Sequence, residues 1–219
     1  QLAWPAVTSE PMLENERLSQ QGAAFHRLAQ QFFLGIPTEK LEAQIQDETL
    51  HDWLTHFLET CLQLPGISDA GARWLPEINL TIHEMGFRMA AKIDLLVILP
   101  GGRAYIYDWK TSRSRTRPNI LAERMQTRLY RYLLAKVVPR FTGKPVQPEQ
   151  ISMIYWFANH PAQPEIMPYT AEQFAADEQY LRQTIRTIQD LMARDVPENP
   201  GEGFPLTLQE KRCDFCMYR

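Results

Sequence analysis

The sequence predicts an α/β domain in which helices flank a central, partly antiparallel sheet. Three observations predict it. Apolar residues recur at helical spacing near both ends of the chain. Between those stretches lie short segments rich in β-branched and aromatic residues. Finally, Pro100-Gly101-Gly102 joins two of the segments as a hairpin.

A first helix is predicted from Asn15 to Phe33, where Leu18, Ala24, Phe25, Leu28 and Phe32 share one face, and Gly35 to Pro37 end it. Thr38 then caps a second helix from Glu39 to Leu62, carrying Leu41, Ile45, Leu50, Trp53, Leu54 and Phe57. Pro65 to Arg73 reads as a loop. Three strands follow: Ile78 to Glu84, the longer apolar run Phe87 to Leu99, and Arg103 to Lys110. Ser112 to Asn119 is a polar, basic loop, and a helix is expected from Ile120 to Val137. Pro139 to Pro148 connects it to a strand from Ile151 to Ala158, and a long helix runs from Thr170 to Ala193. A proline- and glycine-rich tail from Pro197 ends at Cys213 and Cys216. The 219 residues are expected to form a single domain, residues 197–219 being its tail.

With 44% hydrophobic and 22% charged residues, the chain can bury one sizeable core. No apolar run approaches the ~18 residues of a membrane-spanning helix, and the first residues lack the charged start and apolar stretch of a signal peptide. Three cysteines, an odd number, argue against a disulfide framework and for a cytoplasmic protein. The net charge of −3 hides an asymmetry. Between Arg103 and Arg140 ten basic residues face only Asp108 and Glu123, whereas the remainder carries 13 basic and 24 acidic residues. Such a split suits one face that meets phosphates, although a solvated arginine-rich helix would look the same.

The chemistry concentrates in Ala91-Lys-Ile-Asp94 and Tyr107-Asp108-Trp-Lys110-Thr. Alternation along a strand puts Asp108 and Lys110 on one face with Ile106, and Tyr105, Tyr107 and Trp109 on the other. The hairpin can bring Asp94 beside Asp108. Carboxylate oxygens are the hard ligands that magnesium prefers, and a neighbouring lysine can orient water or balance charge on phosphorus. An isolated D-x-K pair is also common as a solubilising strand end, so the pair alone decides nothing.

Four segments, in order, resemble the motifs of the RecB branch of the PD-(D/E)xK nucleases, and together they span much of the chain. They are Gly22-Ala-Ala-Phe-His26, Lys92-Ile-Asp94-Leu-Leu-Val, Tyr107-Asp108-Trp-Lys110-Thr and Gln126-Thr-Arg-Leu-Tyr130. The resemblance implies a restriction-endonuclease-like fold with a mixed sheet, and a Mg2+- or Mn2+-dependent nuclease. His26, Asp94 and Asp108 would be metal ligands, Lys110 the catalytic lysine, and Gln126 and Tyr130 further site residues on one helix face. It also implies DNA as substrate, ends or single strands being favoured, in repair or recombination beside a helicase. Arg113, Arg115, Arg117, Arg124, Arg128 and Arg131 suit contact with backbone phosphates. Ala91 departs from the branch, which commonly has glycine there, and is small enough to leave the site intact.

Many members of the branch hold an iron–sulfur cluster on four cysteines. Cys213 and Cys216 match the start of its C-terminal group, while Cys61 falls at an apolar helical position that suits packing. Because the sequence begins with Gln1 and stops three residues after Cys216, the other two ligands are expected in a longer native form. A bare thiol pair or half of a zinc site are the other readings. For the whole protein, two other functions compete: a nucleic-acid-binding module that has lost cleavage, and an RNA-processing nuclease.

Overall fold

A computed structural model describes residues 10–195 together with 203 and 204, so most of the tail, Cys213 and Cys216 included, lies outside the described residues. Helix α1 (Glu10–Phe33) is followed by α2 (Thr38–Glu42) and α3 (Glu48–Thr60), where one continuous helix was expected. Asp47 makes the break. Its backbone is extended, and its Oδ1 accepts from the Leu50 amide at 3.0 Å, which starts α3. Its Oδ2 accepts from Gln21 Nε2 at 2.7 Å, so the same carboxylate ties α3 to α1. Thr38 is helical rather than a cap; Pro37 precedes α2 without any side-chain hydrogen bond.

Strands β1 (Arg73–Glu84), β2 (Phe87–Ile98) and β3 (Ala104–Lys110) form an antiparallel meander, β1 starting five residues earlier than expected. The predicted helix after β3 is two, α4 (Pro118–Glu123) and α5 (Met125–Val137), because Arg124 between them adopts φ −64° and ψ 140°. A short α6 (Pro139–Thr142) leads on to β4 (Ile151–Phe157), which pairs parallel with β3. No pattern in the residues announced β5 (Glu165–Pro168), four residues that follow Pro164, end on Pro168 and pair antiparallel with β4. Helix α7 (Ala171–Arg194) opens on a capping box between Thr170 and Gln173. The five strands lie in the order β1-β2-β3-β4-β5.

Both faces of the sheet are covered. Helices α1 and α3 cover one with an aromatic cluster: Phe25 stacks on Trp156 with centroids 5.6 Å apart, and Phe57 meets Trp109 edge-on at 5.2 Å. Cys61 is buried in this core, as expected of a packing residue, and burial pushes its thiol up to about 12. Helix α5 covers the other face, with Leu133, Leu134 and Val137 packed among Ile93, Leu96, Ile106 and Tyr155. Tyr105, Tyr107 and Trp109 belong to the first core and Ile106 to the second, the split that alternation predicts.

Alternation slips at one place. Along β2, Leu95 and Val97 face the first core, but Ile93 joins Leu96 and Ile98 in the second. The β1–β2 pairing passes from Pro76↔Leu95 to Ile78↔Ile93 and skips Glu77 and Asp94. Glu77 there has φ 53°, a left-handed backbone that non-glycine residues seldom adopt.

Candidate active site

Helix α1 passes close over the end of β3: a Cβ on Gly22 would come 3.0 Å from Thr111 Oγ1. One turn further on, His26 Nδ1 sits 3.0 Å from Asp94 Oδ1. Asp94 Oδ2 accepts from the backbone N–H of Trp109 at 2.7 Å. The β2–β3 ladder runs from Ile98↔Ala104 to Leu95↔Tyr107, so the Asp94 side chain supplies the next rung and comes level with Asp108.

Asp108 is 5% exposed. Its Oδ1 accepts from Gln126 Nε2, and its Oδ2 lies 2.6 Å from Lys110 Nζ. Lys110 Nζ donates in turn to Gln126 Oε1 at 3.1 Å, closing a triangle of carboxylate, ammonium and amide. Gln126 reaches both because it stands in the first turn of α5, directly after the break at Arg124. Burial pushes the Asp108 carboxyl up to about 6; the Lys110 ammonium opposes that shift and the Asp94 charge adds to it. Burial would lower His26, but its hydrogen bond to Asp94 and the charges of Asp94, Asp108 and Glu77 leave it raised above 6.5. Tyr130 lines the cleft beside Asp94, and burial chiefly raises its phenol.

Glu77 is the residue that sequence reasoning passed over. With His26 and Asp94 it offers ligand atoms that all lie within 4.8 Å of one another, a group to which Asp108 does not belong. The three line a cleft of about 550 Å³ together with Arg27, Lys92 and Tyr130. Such donors, carboxylate oxygens with one imidazole, fit a hard divalent cation. Asp108 Oδ2 fits too, being buried beside the Lys110 ammonium but outside hydrogen-bond geometry. The only sequence signal for Glu77 is an acidic residue just ahead of an alternating strand.

The arginines divide. Arg131 is 4% exposed and ion-paired with Asp177 at 3.4 Å, its guanidinium 4.5 Å over the Tyr169 ring. That corrects its assignment as a phosphate contact, because a guanidinium enclosed by α7 and the start of its cap cannot reach a backbone outside. Arg128 is mostly buried against Glu123, Asp177 and the Tyr180 ring, and Arg115 pairs with Glu165. Arg113, Arg117 and Arg124 are exposed, Arg124 donating to Thr116 Oγ1.

A mixed five-stranded sheet with helices on both faces, carrying this pair of aspartates and a lysine on adjacent strands, defines the restriction-endonuclease-like α/β class. A family model of the PD-(D/E)XK nuclease superfamily matches residues 5–219, and the chain belongs to that superfamily. Membership suggests a nuclease, a hydrolase with a nucleic-acid substrate. Among solved structures, the chain is similar to one described as "Crystal structure of SSO0001", at 15% identity and a TM-score of 0.37, over 92% of this chain and 77% of that one. No curated protein matches it. Among the described residues, no helix is long and apolar enough to cross a membrane.

Proposed function

We propose that the chain is a magnesium- or manganese-dependent deoxyribonuclease of the RecB branch, forming one nuclease domain. The observation that carries this reading is the Lys110 ammonium, held by Asp108 at 2.6 Å and Gln126 at 3.1 Å, directly after the Trp109 amide that is tied to Asp94. His26, Asp94 and Asp108 would hold the cation, with Glu77 facing the same cluster. Once bound, a divalent ion supplies Lewis acidity that polarises a phosphoryl oxygen and makes a bound water more acidic.

The protein's own groups then have distinct tasks. The Lys110 ammonium orients the attacking water or offsets charge building on phosphorus. Gln126 limits where that ammonium points, since it touches both Lys110 and Asp108. Asp94 is pinned through Oδ2, which keeps its Oδ1 beside His26. Arg113, Arg117 and Arg124 are placed on the loop and helix start that follow Lys110, where they suit phosphate contact. DNA as the substrate, a preference for ends or single strands, and a role in repair or recombination beside a helicase all rest on the motif resemblance, and a cytoplasmic setting rests on the three cysteines. So does an iron–sulfur site, or failing that a zinc site, at Cys213 and Cys216.

The test is incubation with single- and double-stranded DNA and RNA, with Mn2+ and with EDTA, beside Asp94→Ala and Asp108→Ala. Cleavage of DNA that needs the metal and both aspartates is expected. Undiminished cleavage by Asp108→Ala overturns the site, binding without cleavage makes this a silent module, and cleavage of RNA alone makes it an RNA-processing enzyme.

A further inference from the structure

The strained backbone of Glu77 turns its carboxylate into the cleft, where only 13% of the side chain is exposed. There it stands near Asp94, and a second negative charge beside that carboxylate requires compensation. The compensation comes from Lys92, whose ammonium is ion-paired with Glu77 Oε2. Lys92 differs from Lys110 in one respect that matters. The Lys110 side chain is 23% exposed and held by two side chains, whereas that of Lys92 is 66% exposed and meets Glu77 by a single ion pair.

We infer that Lys92 is a resident cation of the site, neutralising Glu77 in the metal-free protein and released toward a substrate phosphate when a divalent ion binds. The inference rests on the metal-dependent reading above. An exposed ion pair of this kind is weakly held, and its long flexible stem costs entropy to fix. Glu77 would join His26, Asp94 and Asp108 around a divalent ion, a stronger hold on its carboxylate than one exposed ammonium on one oxygen. Once displaced, the Lys92 ammonium remains in the wall of the same cleft, which Arg27 also lines. Two cations then face a space of about 550 Å³ next to the metal, which suits the phosphate of a neighbouring nucleotide. Metal and nucleic acid are coupled through one side chain, and the coupling is reciprocal.

The experiment measures Mn2+ affinity, from the electron paramagnetic resonance of free Mn2+, for the 219-residue chain and for Lys92→Met, Glu77→Gln and Asp94→Asn. Beside it, fluorescence anisotropy reports binding of a short single-stranded oligodeoxynucleotide, with and without Mn2+, in a Lys110→Ala background that slows cleavage. Removing the competing cation should tighten Mn2+ binding by about two- to fivefold in Lys92→Met. The same variant should lose most of the Mn2+-induced gain in oligonucleotide affinity, and Glu77→Gln should weaken Mn2+ binding. A merely structural ion pair would instead lower thermal stability and leave Mn2+ affinity where it was, which overturns the exchange. If Asp94→Asn abolishes Mn2+ binding while Lys92→Met leaves it unchanged, only the exchange fails. If Asp94→Asn also binds Mn2+ normally, the metal site is wrong and the exchange falls with it.

Discussion

Two buried carboxylates in this protein sit beside cations, and they could hardly differ more in what they are open to. Asp177 on α7 is 3% exposed and takes Arg128 and Arg131 from one face of α5, with the Tyr169 ring beneath the second guanidinium. Asp108 on β3 is 5% exposed and takes Lys110 and Gln126. Burial is the leading cause of a raised carboxyl in both. A perturbed acid is therefore not by itself the mark of a site. Asp177 is enclosed by rigid, planar partners and borders no ligand cluster among the described residues. Asp108 is paired with a flexible ammonium, leaves one oxygen without a hydrogen bond, and lies level with Asp94 at the edge of the His26–Glu77–Asp94 group.

Breaking each pair should separate the two roles. Asp108→Ala should reduce cleavage by on the order of a thousandfold or more, while thermal melting shows a folded protein. Asp177→Ala should do the reverse: it strands two guanidinia in a low-dielectric region and should cost about 3–5 kcal/mol in denaturant unfolding, with specific activity of the folded fraction retained. Loss of activity without loss of stability in Asp177→Ala would instead give the Asp177 cluster a part in the chemistry.

Lys110→Ala should lower the cleavage rate by about a hundredfold with little change in DNA affinity, since the group acts as charge develops. A variant that cleaves normally but binds poorly would make Lys110 a phosphate contact. A smaller effect separates the two pairs by pH. Asp108, pushed up to about 6, and His26, raised above 6.5, must both shed protons to ligate a metal. Mn2+ affinity should thus drop at least about tenfold between roughly pH 7.5 and pH 5.5. In the metal-free protein the sign reverses. A raised carboxyl is costly when charged, and a raised imidazole stabilises only while protonated, so these two groups favour the fold more as pH falls through about 6. Melting the free and Mn2+-loaded proteins at both pH values checks the crossing. The smallest effect is electrostatic: Arg117→Ala with Arg124→Ala should flatten the salt dependence of DNA binding by about one unit of slope per lost phosphate contact. Arg131→Ala should leave that slope unchanged.

What could be read from the residues was the hairpin chemistry. Alternation placed Asp108 and Lys110 on one face, and the turn at Pro100-Gly101-Gly102 brought β2 and β3 together so that Asp94 meets the Trp109 amide. The resemblance added His26, which meets Asp94, and Gln126, which meets Lys110 and Asp108. Glu77 escaped because Pro76 hides the first residues of β1 from the sequence pattern and the strand breaks alternation at the one position that matters. Arg131 was misread for a different reason. Charge along the sequence says nothing of what a distant element brings, and the acid that claims Arg131 is on α7. The helix breaks at Asp47 and Arg124 were hidden by good helical periodicity on either side, and in each case extended backbone at that residue ends one segment and starts the next.

The bond from Trp109 N–H to Asp94 Oδ2 has a consequence for descent as well as for chemistry. In most sheets a mid-strand amide finds its partner in the neighbouring backbone; here a side chain stands in, and beneath that amide the indole of Trp109 is packed into the aromatic core. Alanine at position 94 would remove a rung along with a ligand and leave a buried donor without an acceptor, at a cost of about 1–3 kcal/mol. A relative that abandoned cleavage would still be under pressure to keep an acceptor at this place. The first site residue to erode in such a lineage should be His26 or Lys110, whose loss leaves the sheet intact, and an aspartate surviving alone at this position would be a relic of architecture rather than a sign of a working nuclease.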